Sequence, residues 1–297
     1  MENRFKYIVK EEDKELRIKE LLKRRFGFSS RLLTKLKKGE HVFLNGESIK
    51  MYEKGRPGDE ITVTLPKEIS DFEPQPIPID IIYEDRDLLI LNKQPGYVVH
   101  PTKGHPDNTI ANGVMKHMLD RGESYKIRFI NRLDRDTSGV LLIGKNSHSQ
   151  DYLTKQFQEG TVVRKYIAVV KGIVKNNSGT IDEPIGRPIE GDIKRTVMPD
   201  GAPSVTHYRV IERFIEHTLV ELKLETGRTH QIRVHMTHIG HPIVGDDLYG
   251  YAEDLIERQA LHASEVIFDH PVTRQRMSIS ADLPQDIKVL IQELKSK

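Results

Sequence analysis

The chain contains no cysteine, which rules out disulfides and thiolate ligands for a metal. No stretch approaches the roughly 20 consecutive apolar residues of a membrane helix, so no membrane association is expected. No glycine-rich phosphate loop is present, and among the thirteen histidines the cluster His230, His235, His238 and His241 lacks H-E-x-x-H or a carboxylate at ligand spacing. Neither a cofactor nor a metal is therefore expected. The opening MENRFKYIVKEEDKE is too charged for a secretory leader, and with the missing thiols it points to the cytoplasm. What is present is an ordinary globular composition, 30% charged and 37% apolar. Its 297 residues suffice for one large domain or two smaller ones, and a monomer is the expectation.

The net charge of +2 conceals an asymmetry. Residues 1–65 carry 16 Lys and Arg against 11 Asp and Glu, a balance of +5, which leaves −3 for the remaining 232. Lys14–Lys38 holds ten basic residues against two acidic ones, Glu15 and Glu20. Concentrated basic charge is the footprint of a polyanion partner. A solvated helix face fits the same run.

Local patterns divide the chain. Leu16, Ile18, Leu21, Leu22 and Phe26 predict a helix ended by Gly27; Ser29 or Ser30 caps a second one through Leu32, Leu33 and Leu36 to Gly39. HVFLNGESI reads as a hairpin turning at Asn45-Gly46, and Pro57-Gly58-Asp59 leads into the strand EITVTL. The proline-rich KEISDFEPQPIPID then reads as a linker, giving units of 1–66, 67–78 and 79–297. In the third unit DLLILNK and VLLIGK are buried strands, SVTHYRVIERF and TLVELKLETG alternate as an antiparallel pair, and LPQDIKVLIQELKSK is an amphipathic helix. Helices do not alternate regularly with strands, so the fold class is α+β, with a mixed, mostly antiparallel sheet and a small α+β unit at the N-terminus.

The basic helix pair and small sheet resemble the RNA-binding module named after ribosomal protein S-four, over roughly residues 12–66. The resemblance implies that Lys19, Lys23, Arg24, Arg25, Arg31, Lys35 and Lys38 meet RNA phosphates.

The segment FINRLDRDTSGVLLIGKN, 129–146, holds Asp134 on a polar loop at the start of an apolar strand. Arg132 and Arg135 flank it and are expected to keep it ionised. A plain turn aspartate paired with a neighbouring arginine would look the same. R-L-D-x-x-T-S-G before an apolar strand, however, resembles the active-site signature of the RluA/RluD family of pseudouridine synthases. KQPGYVVHPTKG (93–104), RKYIAVVKG (164–172) and TGRTHQIRVHMTHIGHPIVGDDLYG (226–250) resemble three further family blocks, in order. One departure is Asn131, where many members have histidine.

The resemblance implies a pseudouridine synthase fold and an enzyme that isomerises uridine in structured RNA. The base must leave ribose through its nitrogen, turn, and rejoin through carbon five. A carboxylate suits such anomeric chemistry, as nucleophile or as proton acceptor. The resemblance gives that role to Asp134, assigns Tyr166 to base packing and late proton transfer, and makes Arg233 the ion-pair partner of Asp134. Arg228 lies near a helix start that favours phosphate. Arg132 is placed to fill the gap left by a flipped uridine. His230 and Gln231, beside Arg233, complete the expected substrate contacts. An appended RNA-binding unit favours ribosomal over transfer RNA. The competing function is a non-catalytic RNA-binding or ribosome-assembly protein, which has no need of Asp134, Tyr166 and Arg233 together. His238–His241 spells the HIGH motif of class I aminoacyl-tRNA synthetases, but the decayed second signature at Arg276–Ser280 follows too closely for a nucleotide-binding fold.

Overall fold

The computed structural model describes residues 5–102, 104–250 and 255–297. The first 65 residues build β1 (Phe5–Ile8), α1 (Ile18–Phe26), α2 (Ser30–Lys38), β2 (Val42–Leu44), β3 (Glu47–Ser48) and β4 (Glu60–Val63). The four strands pair antiparallel in the order β1-β4-β2-β3. The Ser29 hydroxyl accepts the Leu32 N–H at 3.2 Å and caps α2, while Gly27 closes α1 in the left-handed region. Asn45 and Gly46 both have positive φ, which suits the two-residue hairpin. β1 has no strong signal in the sequence. It is placed by its pairing with β4, which buries Phe5 beside Leu21, Leu22, Leu32, Phe28 and Ile61.

The rest of the chain supplies β5 (Asp80–Glu84), β6 (Leu88–Lys93), α3 (Ile110–Asp120), β7 (Arg128–Phe129), β8 (Ser138–Gly144), α4 (Ser147–Gln158), β9 (Val163–Lys171) and β10 (Ser178–Asp182). There follow β11 (Ile185–Gly186), β12 (Thr196–Val197), β13 (Val205–Arg213), β14 (His217–Leu224), α5 (Gln231–His238), β15 (Leu261–Asp269), β16 (Arg276–Ser280) and α6 (Gln285–Ser296). One large sheet runs β10-β13-β14-β9-β15-β8-β6-β5, with β16 on β15 and β7 on β8. Among the described residues only its β8–β15 pairing is parallel. The class is the expected α+β, mostly antiparallel one.

Burial on both faces explains the continuous apolar runs. Leu89, Leu91, Leu141 and Ile143 face a core shared with Val114, Ile232, Met236 and Leu290. Leu88, Ile90, Val140 and Leu142 face the other way, onto Leu153 of α4 and Phe268. Central β8 also sets a steric limit. At Gly139 (φ +111°) a Cβ would lie 2.2 Å from the Ala263 carbonyl oxygen of β15. Backbone strain and overpacking then act together. Gly139→Ala is expected to lower stability by roughly 3 kcal/mol or more, read by denaturant unfolding. An unchanged midpoint would show that β8 and β15 can part there at no cost.

Residues 67–78 contain no helix or strand, yet they are bonded to their surroundings. Glu68 accepts from Lys35 (2.9 Å) and Arg128 (2.6 Å), Ser70 Oγ accepts the Ile127 N–H (3.0 Å), and the Asn112 amide donates to the Glu73 carbonyl (2.8 Å). The N-terminal unit also touches α4 and the β15–β16 loop directly. Ser29 donates to Asp151 (2.5 Å), Arg274 donates to the Phe26 carbonyl (2.6 Å), and the Phe5 and Phe28 rings meet His148 edge-on.

Candidate active site

Asp134 sits in the turn before β8, closed by a Thr137 N–H donated to the Asp134 carbonyl at 3.1 Å. The turn is held from behind by two buried cations. Lys93, at the end of β6 and fully buried, donates to the carbonyls of Gln94 (2.9 Å), Arg135 (2.7 Å) and Thr137 (3.0 Å). Burial pushes Lys93 down to about 7, while the nearby Asp136 and Asp134 carboxylates pull it up. Three carbonyl acceptors call for three N–H donors, which only the ammonium form offers. Arg258 donates to the carbonyl between them, that of Asp136 (2.8 Å), and is itself gripped by Asp286 at 2.6 and 3.0 Å. The carbonyls of Arg135, Asp136 and Thr137 are therefore all occupied.

Before the turn, the Asn131 amide donates to the Val140 carbonyl (3.1 Å) and accepts the Leu142 N–H (2.8 Å). Asparagine at this point laces the loop onto β8 as a backbone strand would.

The cation facing Asp134 comes from α5. The Arg233 guanidinium donates to Asp134 Oδ2 at 3.2 Å and doubly to buried Asp246, at 2.7 and 2.8 Å. Burial opposes its charge, but the Asp246 and Asp134 carboxylates outweigh that and hold its pKa above the ordinary arginine range. Neither flanking arginine pairs with Asp134. Arg135 pairs with Asp136, and exposed Arg132 forms no side-chain bond among the described residues. The reason is geometric: the turn points adjacent side chains apart, while α5 aims Arg233 inward.

His230 precedes α5 in the left-handed region (φ 58°), an unusual conformation for a residue with a Cβ. Its Nε2 lies 3.9 Å from Asp134 Oδ1 and its Nδ1 2.8 Å from the Tyr249 hydroxyl. That hydroxyl already accepts the Arg195 N–H at 2.8 Å. Where the hydroxyl gives its own proton to Nδ1, the histidine proton lies on Nε2, facing Asp134. Burial lowers the His230 pKa and favours this neutral form, although Asp134 opposes the shift.

Tyr166 of β9 is buried between β14 and β15, and with Leu224 and Leu261 it lines the apolar side of a pocket whose polar side carries Asp134, His230 and Arg233. Burial raises the Tyr166 pKa; the Arg164 guanidinium lowers it and the Asp134 carboxylate adds to the rise. The phenol therefore keeps its proton at neutral pH.

Arg228 lines the same pocket but gives its Nε to the Pro203 carbonyl (3.2 Å). Gln231 was expected among the substrate contacts, and its geometry argues against that. Its oxygen accepts from Thr226 (2.8 Å) and Arg228 N (2.9 Å), and its nitrogen donates to Val205 and Thr206 (both 3.0 Å). An amide with all four positions filled braces the turn before α5.

Of the seven basic residues expected at RNA phosphates, Lys19, Lys23, Arg24, Arg31 and Lys38 are exposed. Arg25 and Lys35 are engaged in the fold. Arg25 binds buried Asp13 (2.7 Å) and Glu12 beside the Tyr7 ring, and Lys35 binds Glu68. Sequence reading missed Lys93, Arg258, Asp246 and Tyr249. Asp246 and Tyr249 lie in the G-D-D-L-Y-G end of the 226–250 block, where the paired aspartates were the available signal.

Comparison with known proteins shows the family of the chain. The family model described as RNA pseudouridylate synthase matches residues 87–238, which contain Asp134, Tyr166 and Arg233. The chain is 46% identical over 263 residues to the uncharacterized RNA pseudouridine synthase YlyB of Bacillus subtilis, covering 87% of each chain. It is 39% identical over 273 residues to ribosomal large subunit pseudouridine synthase D of Escherichia coli K12, covering 86% of this chain and 83% of that one. The solved structure of human RNA pseudouridylate synthase domain containing 1 superposes with a TM-score of 0.58 at 28% identity, over 77% of this chain and 98% of that one. The chain belongs to the RNA pseudouridylate synthase family.

Proposed function

We propose that this enzyme isomerises uridine to pseudouridine in large-subunit ribosomal RNA, with Asp134 as its catalytic carboxylate. The observation that carries the chemistry is Asp134 at 3.2 Å from an arginine that Asp246 locks in place, at a pocket lined by Tyr166. A pure RNA binder has no use for a buried cation aimed at a partly exposed carboxylate.

Asp134 acts at the anomeric carbon when the bond to the base nitrogen breaks. Arg233 orients the carboxylate, with the His230 ring beside it. Tyr166 packs on the detached base, keeping it at high effective concentration while it turns, and mediates removal of the carbon-five proton after rejoining. Arg132, exposed at the pocket, fills the space of the flipped uridine. Residues 1–66 form the S-four-like RNA-binding domain, 67–78 its connection and 79–297 the catalytic domain. In this reading Lys19, Lys23, Arg24, Arg31 and Lys38 grip RNA backbone.

The choice of ribosomal RNA rests on relatives named ribosomal large subunit pseudouridine synthase D at 39–41% identity, and on the separate basic unit, which adds affinity away from the target. Pseudouridine mapping in total RNA from cells with and without the gene tests it. Loss confined to large-subunit RNA is expected, as is tritium release from an unmodified transcript in chelator-treated buffer with no added cofactor. Loss confined to transfer RNA would refute the substrate, and no loss with no tritium release would refute the activity.

A further inference from the structure

A cavity of about 610 Å³ lies next to the Asp134 pocket, between α2 of the N-terminal unit and the segments 98–102 and 126–133 of the larger one. Its volume is in the range of specific ligand pockets, roughly 300–1,000 Å³. Its walls come from both units, whose relative placement is set by the Glu68, Asp151 and Arg274 contacts described above.

The charge of this cleft is strongly positive. Five cationic side chains line it against two carboxylates, Glu68 and Asp151. Glu68 is occupied by Lys35 and Arg128, and Asp151 accepts from Ser29. The other three cations, Arg31, Lys126 and Arg132, are exposed and form no side-chain hydrogen bond or ion pair among the described residues. Unpaired cations gathered on a concave surface recruit a polyanion. The cleft also has an aromatic wall. His100 is exposed, stands edge-on to Phe72 at 5.2 Å, and lies 6.0 Å from the Phe129 ring. An aromatic platform beside free cations is the pairing that holds single-stranded nucleic acid, the base stacked and the backbone neutralised.

The cleft adjoins the pocket at Asp134: Arg132 and Leu133 line both. We infer that it is a second RNA subsite. It takes a single-stranded nucleotide flanking the target uridine, with its base against His100 and Phe129 and its phosphates against Arg31 and Lys126. This rests on the RNA-modifying reading above and adds the two-unit wall as the place where the flanking strand is held. Neither unit alone forms the site.

The absence of native cysteine allows a reversible test in the full chain. Gln150 of α4 lines the cleft and is not one of the proposed ligands. The Gln150→Cys protein, with an unmodified large-subunit ribosomal RNA transcript as probe, should bind as wild type does. A bulky methanethiosulfonate adduct on that thiol should fill the cleft and weaken binding by roughly tenfold or more, and reductant should restore it. Arg31→Glu with Lys126→Glu should flatten the salt dependence by roughly 0.7 in log–log slope for each phosphate no longer neutralised. Equal affinity with and without the adduct, and an unchanged slope in the double variant, would overturn the subsite even if wild type converts uridine. Weaker RNA binding by the adduct, together with a wild type that converts no uridine, would support the subsite and overturn the enzymatic reading instead.

Discussion

Asp134→Asn is expected to abolish isomerisation, with kcat lower by at least about 10⁴-fold, while fold and RNA affinity change little. The substitution keeps the shape of the side chain and removes only its charge and nucleophilicity. Arg233 retains its double bond to Asp246, so the buried guanidinium is not left unpaired. The Asp134 side chain is 29% exposed, and an ion pair so placed contributes at most about 1 kcal/mol to stability. Tritium release from base-labelled RNA at saturating enzyme isolates the chemical step. Activity within about tenfold of wild type would sink the assignment of Asp134 as the catalytic carboxylate, since the remaining groups act only through orientation and binding.

Asp246→Asn should damage both stability and rate. Asp246 is fully buried and accepts from Arg233 Nε and Nη2 and, more weakly, from the N–H groups of Leu248 and Tyr249. Replacing one carboxylate oxygen by NH2 sets donor against donor and leaves a buried cation with half its compensation. Breaking a buried pair in this way costs about 3–5 kcal/mol. The released guanidinium then follows Asp134 less faithfully, and kcat should fall by roughly 10²-fold, as when one preorganised electrostatic partner is lost. KM should move little, because Asp246 is not at the pocket surface. The rate should be measured well below the midpoint of thermal unfolding, so that lost folding is not read as lost catalysis. A kcat within about threefold of wild type under those conditions would show that Arg233 does not need its anchor, and Asp246 would then be structural only.

Asp134 was legible because its signal is local and ordered: a charged turn, a small-residue corner and an apolar strand follow within a dozen residues. The helices around Gly27 and Ser29, the Asn45-Gly46 hairpin and the α6 stripe were legible for the same reason. The four-residue β1 was not, since it offers too short an alternation and takes its conformation from β4. Lys93 reads in sequence as the charged end of a strand, and nothing beside it says that its ammonium will serve the carbonyls of residues more than forty positions later.

Charge counting had the opposite weakness. It made Arg25 and Lys35 look like part of a free basic face, although Asp13 and Glu68 take them up. What the sequence determined by itself was the α+β class, the position of the candidate carboxylate Asp134 and the basic bias of the first 65 residues. Spacing, turn residues and composition act between near neighbours. Only the tertiary structure decided which cation faces Asp134, which carboxylate locks that cation, and which positive charges remain free. Those outcomes depend on burial and on contacts between segments from about a dozen to about a hundred residues apart, where desolvation makes an unpaired charge costly and selects one partner from several of like type.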